Sequence, residues 1–290
     1  MTEKVAIHHR SAYQFDRPTT ILPHVVRLRP APHCRTPISE YSLSVTPDDH
    51  YIHWQQDPFS NYSARLQFTE EAEELVFEVK LNANLTPYNP FDFLVDDEVS
   101  TFPFRYEPEL VKDVGPYLFI SERGDRLKTF VKSIDQSGVN TVDFLVEVNK
   151  RVQQEISYEL RMEKGVQTCE ETLESKSGSC RDSAWLLMQV YRHLGLVTRF
   201  VSGYQVLLEE SIPAEGAPPV TEDRVDLHAW VEVYIPGAGW IGLDPSTGLM
   251  AVENYIPLAC TPNPESAAPI SGKTSVSNTR FEYFSTVIRL

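Results

Sequence analysis

The sequence predicts an α+β protein, with an N-terminal β-sandwich domain over residues 1–105 and a second domain of mixed helices and strands over residues 106–290. Two patterns carry this. In the N-terminal part, short segments place apolar residues at alternate positions between Pro, Asp and Asn clusters, which is the period of half-buried strands. From Asn140 onward apolar residues recur at three- and four-residue steps, the period of a helix face. Size agrees: 290 residues are long for one compact core and comfortable for two domains.

Each element follows from local signals. Tyr41–Val45 and Glu74–Leu81 alternate as strands, punctuated by Thr46-Pro-Asp-Asp49, Asp57-Pro58 and Thr86-Pro87. The Pro-rich stretch from Asn89 to Pro116 lacks periodicity and reads as a connection. Val142, Leu145, Val148, Val152 and Ile156 form one helical face behind an Asn140 cap, with Asp143 in the first turn. Thr168-Cys-Glu-Glu171 has the form of a capping box opening a short helix. After Ser175–Ser179 a stronger helix carries Ala184, Leu187, Met188, Tyr191 and Leu194, and Gly195 sits where a C-terminal glycine belongs. Leu196–Val206 reads as a buried strand, and Leu208–Asp226, rich in Pro, Glu and Gly, as a surface loop. Strands follow near His228–Ile235 and Trp240–Asp244, then a loop over Thr261–Gly272 and a β-like end, Arg280–Leu290.

Composition narrows the function classes. The net charge of −15 repels phosphate backbones, so no nucleic-acid partner is expected, and it disfavours an anionic membrane surface. No apolar run approaches the ~20 residues that span a bilayer. The opening MTEKVAIHHRSAYQF lacks the apolar core of a signal peptide, so a cytoplasmic protein is expected. Cys34, Cys169, Cys180 and Cys260 show no CxxC spacing, which in a reducing compartment favours free thiols over disulfides or a zinc site. The acidic runs Glu70–Glu74 and Asp96–Glu98 lack the glycine and spacing of a calcium loop, and the eight histidines form no HExxH. No metal and no cofactor is expected.

Cys180 stands out as a nucleophile. It follows a Gly-Ser turn and begins a helix, where unpaired N–H groups and the helix dipole favour a thiolate. Most cysteines in apolar-periodic regions are inert core; its place in an accessible first turn argues the other way. A thiolate nucleophile needs a base, and the base an orienter. His228 starts one strand and Asp244 ends the next, across Pro236-Gly-Ala-Gly239. A strand histidine is more often packed and an Asp before Pro more often a turn former; together with a helix-start cysteine they fit a Cys-His-Asp order. The hairpin loop decides whether they can meet. Pairing Ile235 with Gly239 leaves a three-residue loop and puts both on one face; a two-residue loop at Gly237-Ala238 puts them on opposite faces. Trp230 is expected on the face opposite His228, as core packing.

Four blocks in order then resemble the transglutaminase-like superfamily: Gly178-Ser-Cys-Arg-Asp-Ser-Ala-Trp-Leu-Leu187, Leu194-Gly-Leu-Val-Thr-Arg-Phe-Val-Ser-Gly-Tyr204, Leu227-His-Ala-Trp-Val-Glu-Val-Tyr234 and Gly239-Trp-Ile-Gly-Leu-Asp-Pro245. His24-Val-Val-Arg-Leu-Arg-Pro30 and Asp57-Pro-Phe-Ser-Asn61 resemble the N-terminal β domain of its bacterial branch. Ser60 departs from the glycine expected there, which bears on a turn. The resemblance covers nearly the whole chain. It implies a papain-like α+β core with Cys180 as nucleophile, His228 as general base and Asp244 as orienter, acting through a thioester on amide or isopeptide bonds of a peptide or protein substrate. Hydrolysis is the favoured outcome. The alternatives are glutamine transamidation and a non-enzymatic binding or docking module. The Cys180 N–H is one expected oxyanion donor; no Gln stands in the aligned stretch Glu171–Lys176, which leaves Tyr158 and Gln167 as weak candidates for the second.

Overall fold

A computed structural model describes residues 2–209 and 220–290. It is α+β, as the sequence predicts. The N-terminal strands are β1 (Glu3–Thr20), β2 (His24–Val26), β3 (Ile38–Thr46), β4 (His50–Gln56), β5 (Tyr62–Phe68) and β6 (Glu71–Leu85). A connection containing helices α1 (Pro108–Asp113), α2 (Gly115–Leu118) and α3 (Asp125–Lys132), and the short pair β7 (Thr101–Phe102) and β8 (Val139–Asn140), leads to α4 (Thr141–Glu155). Strand β9 (Ser157–Tyr158), helix α5 (Cys169–Ser175) and strand β10 (Ser177–Gly178) precede α6 (Cys180–His193). Strands β11 (Thr198–Leu207), β12 (Arg224–Ile235), β13 (Gly239–Asp244), β14 (Leu249–Met250), β15 (Tyr255–Thr261), β16 (Ile270–Ser271) and β17 (Thr279–Arg289) complete the chain.

The N-terminal strands build two four-stranded antiparallel sheets, ordered β17-β1-β6-β3 and β16-β2-β5-β4. Their inner faces share one core, with Val5, Ile7, Phe77 and Leu81 from the first sheet and Val26, Ala64 and Leu66 from the second. The C-terminal strand crosses the expected division at residues 105 and 106. It returns to pair with β1 from Val5↔Arg289 to Phe15↔Thr279, and β16 pairs with β2. The pairing satisfies one whole edge of β1, whose backbone groups would otherwise face solvent. Ser60 adopts φ 69°, so the sequence departure falls at a left-handed turn position, where glycine costs least.

The second part is a five-stranded antiparallel sheet, β14-β13-β12-β11-β15, with α6 against one face. Ala184, Leu187, Met188 and Tyr191 pack onto Ala229, Val231, Val233, Ile235 and Leu243. Helix α6 is buried on nearly every side, beyond the single apolar face its period predicts. Two of its buried polar residues are anchored by hydrogen bonds: Gln189 Oε1 accepts from the N–H groups of Ser121 and Glu122, while its Nε2 has no partner among the described residues, and Arg192 donates to the carbonyls of Phe119, Thr198 and Pro262. The caps sit where the sequence places them. Asn140 accepts from Val142 and Asp143 N–H, Thr168 and Glu171 form the capping box, and Gly195 takes φ 82°.

The two parts share packing. Tyr204, Val206, Val225, Ile256 and Leu258 of the five-stranded sheet join the sandwich core. Buried Asn61 clamps β15 through its amide, donating to Cys260 O (3.0 Å) and accepting from Cys260 N–H (2.8 Å). The expected loop over Leu208–Asp226 is shorter than its composition suggests, because β12 already begins at Arg224; residues 210–219 of it lie outside the described residues. Among the described residues no helix is long and apolar enough to cross a membrane.

Candidate active site

The structure brings Cys180, His228 and Asp244 together. Cys180 is the first residue of α6, so the helix's own i→i−4 ladder does not use its N–H. Its position is set from behind by Asp182. That fully buried carboxylate accepts from Ser179 N–H (2.8 Å), Ser179 Oγ (2.7 Å) and Gln167 N–H (2.7 Å), and from Arg161 Nε (2.9 Å). Burial opposes its charge, but the Arg161 guanidinium and these donors outweigh that and hold its pKa below the usual value. Asp182 and Arg161 were not singled out from the sequence, although Ser179-x-x-Asp182 has the spacing of a capping box.

His228 and Asp244 meet through the hairpin. The register is Ile235↔Gly239 through Val231↔Leu243, with Ala238 N–H bonded to Ile235 O and Gly239 at φ 77°. This is the three-residue loop with a glycine bulge, and it sets His228 and Asp244 on one face. Nε2 of His228 lies 2.8 Å from Oδ2 of Asp244. The Cys180 thiol lies within electrostatic reach of the same ring, and both side chains line one cleft; with Nε2 engaged by Asp244, Nδ1 is the atom left to face sulfur. Burial disfavours imidazolium here, yet Asp244 and Cys180 outweigh it and raise the His228 pKa well above 6.5. Asp244 is pushed the other way: burial raises it, but His228, Ser246 and Tyr255 bring the net value below 3.8.

The carboxylate is saturated with donors. Oδ1 accepts from Ser246 Oγ (2.7 Å) and Ser246 N–H (2.9 Å), and Oδ2 accepts from Tyr255 Oη (2.7 Å), which itself accepts from Gln205 Nε2 (2.7 Å). Tyr255 reaches Asp244 from a strand on the far side of β11, a contact that no local spacing announces. Trp230 corrects an expectation. It shares the face of His228, packing edge-on against Tyr255 at 5.3 Å while Tyr255 lies 6.0 Å from His228. Positions two apart on a strand point the same way. Gly203 opposite His228 leaves room for it, since a Cβ there would fall 2.4 Å from the Trp230 ring.

The two candidate oxyanion side chains part company. Gln167 Oε1 accepts from Thr172 Oγ1 (3.1 Å), within the α5 turn. Tyr158 pairs by backbone with Gly178, two residues before Cys180, and is 58% exposed in the same cleft as Cys180 and His228. Partial burial, then the nearby Cys180 and Asp226, push its phenol up to about 12, so it stays a donor at neutral pH. The cleft measures about 1610 Å³.

The expected accessibility of Cys180 is not seen: Cys180, Cys169 and Cys260 are buried and Cys34 is half-buried, and what sets Cys180 apart is its place in the cleft lining. Burial pushes Cys34 up to about 11 and also raises Cys169 and Cys260. All four cysteines are unpaired. Among the described residues one further cluster groups ligand-type side chains, His33, Glu232 and Cys260, whose atoms lie within 4.8 Å of one another. The Arg199 guanidinium fills it, donating to Glu232 Oε2 (2.6 Å) and standing 3.0 Å from His33 Nε2. A cation is already in place, so we read this cluster as an ion-pair network.

Comparison with known proteins agrees with this architecture. Residues 5–84 match the model of the bacterial transglutaminase-like N-terminal region, and residues 128–245 match that of the transglutaminase-like superfamily. An uncharacterized protein of Mycobacterium tuberculosis is 21% identical over 270 residues, covering 88% of this chain and 82% of its own. A protein-glutamine gamma-glutamyltransferase of Pseudomonas aeruginosa is 37% identical over 73 residues, 25% of this chain and 10% of that one. The crystal structure of a proposed cysteine protease from Cytophaga hutchinsonii superposes with a TM-score of 0.70 at 23% identity, over 98% of this chain and 91% of that one, which shows a shared fold.

Proposed function

The chain belongs to the transglutaminase-like superfamily and carries its bacterial N-terminal region, and from that premise we propose that it is a cysteine-dependent acyl-transfer enzyme acting on amide or isopeptide bonds of a peptide or protein. The observation that carries this is His228 bonded to Asp244 at 2.8 Å in the same cleft as the thiol at the head of α6.

The chemistry follows from the groups present. Imidazole takes the Cys180 thiol proton, and the raised His228 pKa favours the resulting imidazolium. Sulfur attacks the carbonyl carbon, and the oxyanion forms beside the Cys180 N–H and the Tyr158 hydroxyl. Imidazolium returns the proton to the departing nitrogen, the C–N bond breaks, and a thioester remains. Water, deprotonated by His228, then adds to the thioester, and the acid and the free thiol are released.

Hydrolysis is favoured over cross-linking because the cleft is lined by half-exposed side chains such as Tyr158, Met162 and Leu249, which leave water a path to the thioester. The local likeness to a gamma-glutamyltransferase supports a second reading in which an amine resolves the thioester. The unpaired cysteines fit a reducing, cytoplasmic setting, which we propose for the chain.

The test is iodoacetamide alkylation mapped by mass spectrometry across pH, on native protein and on His228→Ala. We expect Cys180 to react faster than the other three cysteines near neutral pH, and to slow by about tenfold or more without His228. Alkylation of Cys180 no faster than of Cys34 would remove the reading. Labelled peptides incubated with and without a primary amine then separate hydrolysis from transamidation.

A further inference from the structure

The cleft has a wall that the catalytic part does not supply. Phe281 and Tyr283, on β17 of the sandwich, line the same cavity as Cys180, His228 and Tyr158. They stand two residues apart on one strand face with rings nearly parallel, 5.9 Å between centroids and 16° between planes. Each stays 42% exposed, although the same face of β17 is buried at Val287. The same cavity is lined by Tyr158 of β9 and, just after it, by Leu160 and Met162, exposed by 58% to 66%. Tyr158 is within electrostatic reach of both Cys180 and Tyr283.

Apolar side chains gathered in one concavity beside a nucleophile mark a binding groove, whereas scattered ones need no explanation. The wall is held in place. Phe281 packs on Tyr13 of β1 at 4.8 Å, and Arg289 at the end of β17 is tied to Asp223 by bonds of 2.7 and 2.8 Å just before β12.

We propose that Phe281 and Tyr283 form an aromatic subsite that takes a large apolar or aromatic side chain of the peptide whose carbonyl Cys180 attacks. This rests on the acyl-transfer reading above. It gives the sandwich a part in substrate selection, through the strand that returns to pair with β1. The occupant is an acyl-side peptide because the wall is continuous with the cleft that holds the thiol.

Three probes of the full-length protein test it: iodoacetamide, acetyl-Phe-Phe-Gly chloromethyl ketone and acetyl-Gly-Gly-Gly chloromethyl ketone. The aromatic ketone is expected to inactivate Cys180 about tenfold faster than the glycine one or better. Phe281→Ala and Tyr283→Ala should bring that ratio close to one and leave the iodoacetamide rate within about twofold. Phe284→Ala, on the opposite face of the same strand and also exposed, controls for damage to β17 and should keep the ratio. No preference in native protein, or a preference unmoved by Phe281→Ala and Tyr283→Ala, overturns the subsite. Slow iodoacetamide labelling that ignores His228 overturns instead the catalytic reading beneath it.

Discussion

Nε2 of His228 lies 2.8 Å from Oδ2 of Asp244, and both groups are buried. Burial alone would strip the proton from the imidazole, so the carboxylate decides its charge. Asp244→Asn leaves burial acting without its main counterweight. In a histidine NMR titration, native His228 should stay protonated well above pH 6.5, and in Asp244→Asn it should titrate near or below about 6.5. Cys180 alkylation at pH 7 should slow by about tenfold or more. The stability signs follow. A raised histidine contributes fully below its unfolded value and fades as pH rises through its folded one; a depressed aspartate contributes above about 3.8 and fades as pH falls through its folded value. The stability gap between native and variant should therefore narrow at both extremes. Identical titration of His228 in the two proteins would sink this account.

The meeting of these residues was legible because parity is a local property. Gly237 and Gly239 at positive φ fix a three-residue loop, and loop length alone puts positions 228 and 244 on one face. The caps at Asn140 and Thr168 were legible for the same reason, since each satisfies donors within its own first turn. The expectation that Trp230 faces away from His228 fails on the same parity, since positions two apart on a strand share a face. Tyr255 and the return of β17 were not legible. They depend on which distant edge a strand chooses, and alternation in Arg280–Leu290 fits any free edge equally well.

Tyr158 separates chemistry at the carbonyl from reactivity of the sulfur. Its hydroxyl stays protonated at neutral pH and its backbone is pinned to Gly178. Tyr158→Phe removes the donor and keeps the ring. Acylation of Cys180 by a p-nitrophenyl ester passes through an oxyanion and should slow by about tenfold, up to the 10²–10³ of a full oxyanion donor. Iodoacetamide displaces iodide without an oxyanion and should react within about twofold of native. Equal slowing of both reactions would mean that Tyr158 shapes the cleft without donating.

Asp182 holds the approach to Cys180 by binding Arg161 across a buried boundary. Asp182→Asn keeps the shape and removes the charge, leaving the guanidinium facing a neutral amide. Breaking a buried pair costs about 3–5 kcal/mol, and urea unfolding near pH 7 should show a loss in that direction. Because the folded Asp182 pKa is depressed, its contribution is present above about 3.8 and lost as pH falls through the folded value. The difference between native and Asp182→Asn should shrink in acid. A constant difference across that range would assign the loss to packing.

Neighbouring positions in the Asp57–Asn61 turn predict opposite signs. Asn61 is fully buried and clamps both backbone groups of Cys260, so Asn61→Ala strands a carbonyl and an N–H between the sandwich and β15. Each orphaned group costs about 1–3 kcal/mol, so the urea midpoint should drop by the equivalent of ~2–6 kcal/mol. Ser60 at φ 69° bears the left-handed cost that a glycine avoids. Ser60→Gly relieves it, less the extra freedom glycine brings to the unfolded chain, for a net gain of up to about 1 kcal/mol. Both substitutions lie outside the cleft, so iodoacetamide alkylation of Cys180 should hold within about twofold below the unfolding transition. A Ser60→Gly protein less stable than native would show that the serine side chain makes an interaction worth more than the backbone strain it imposes.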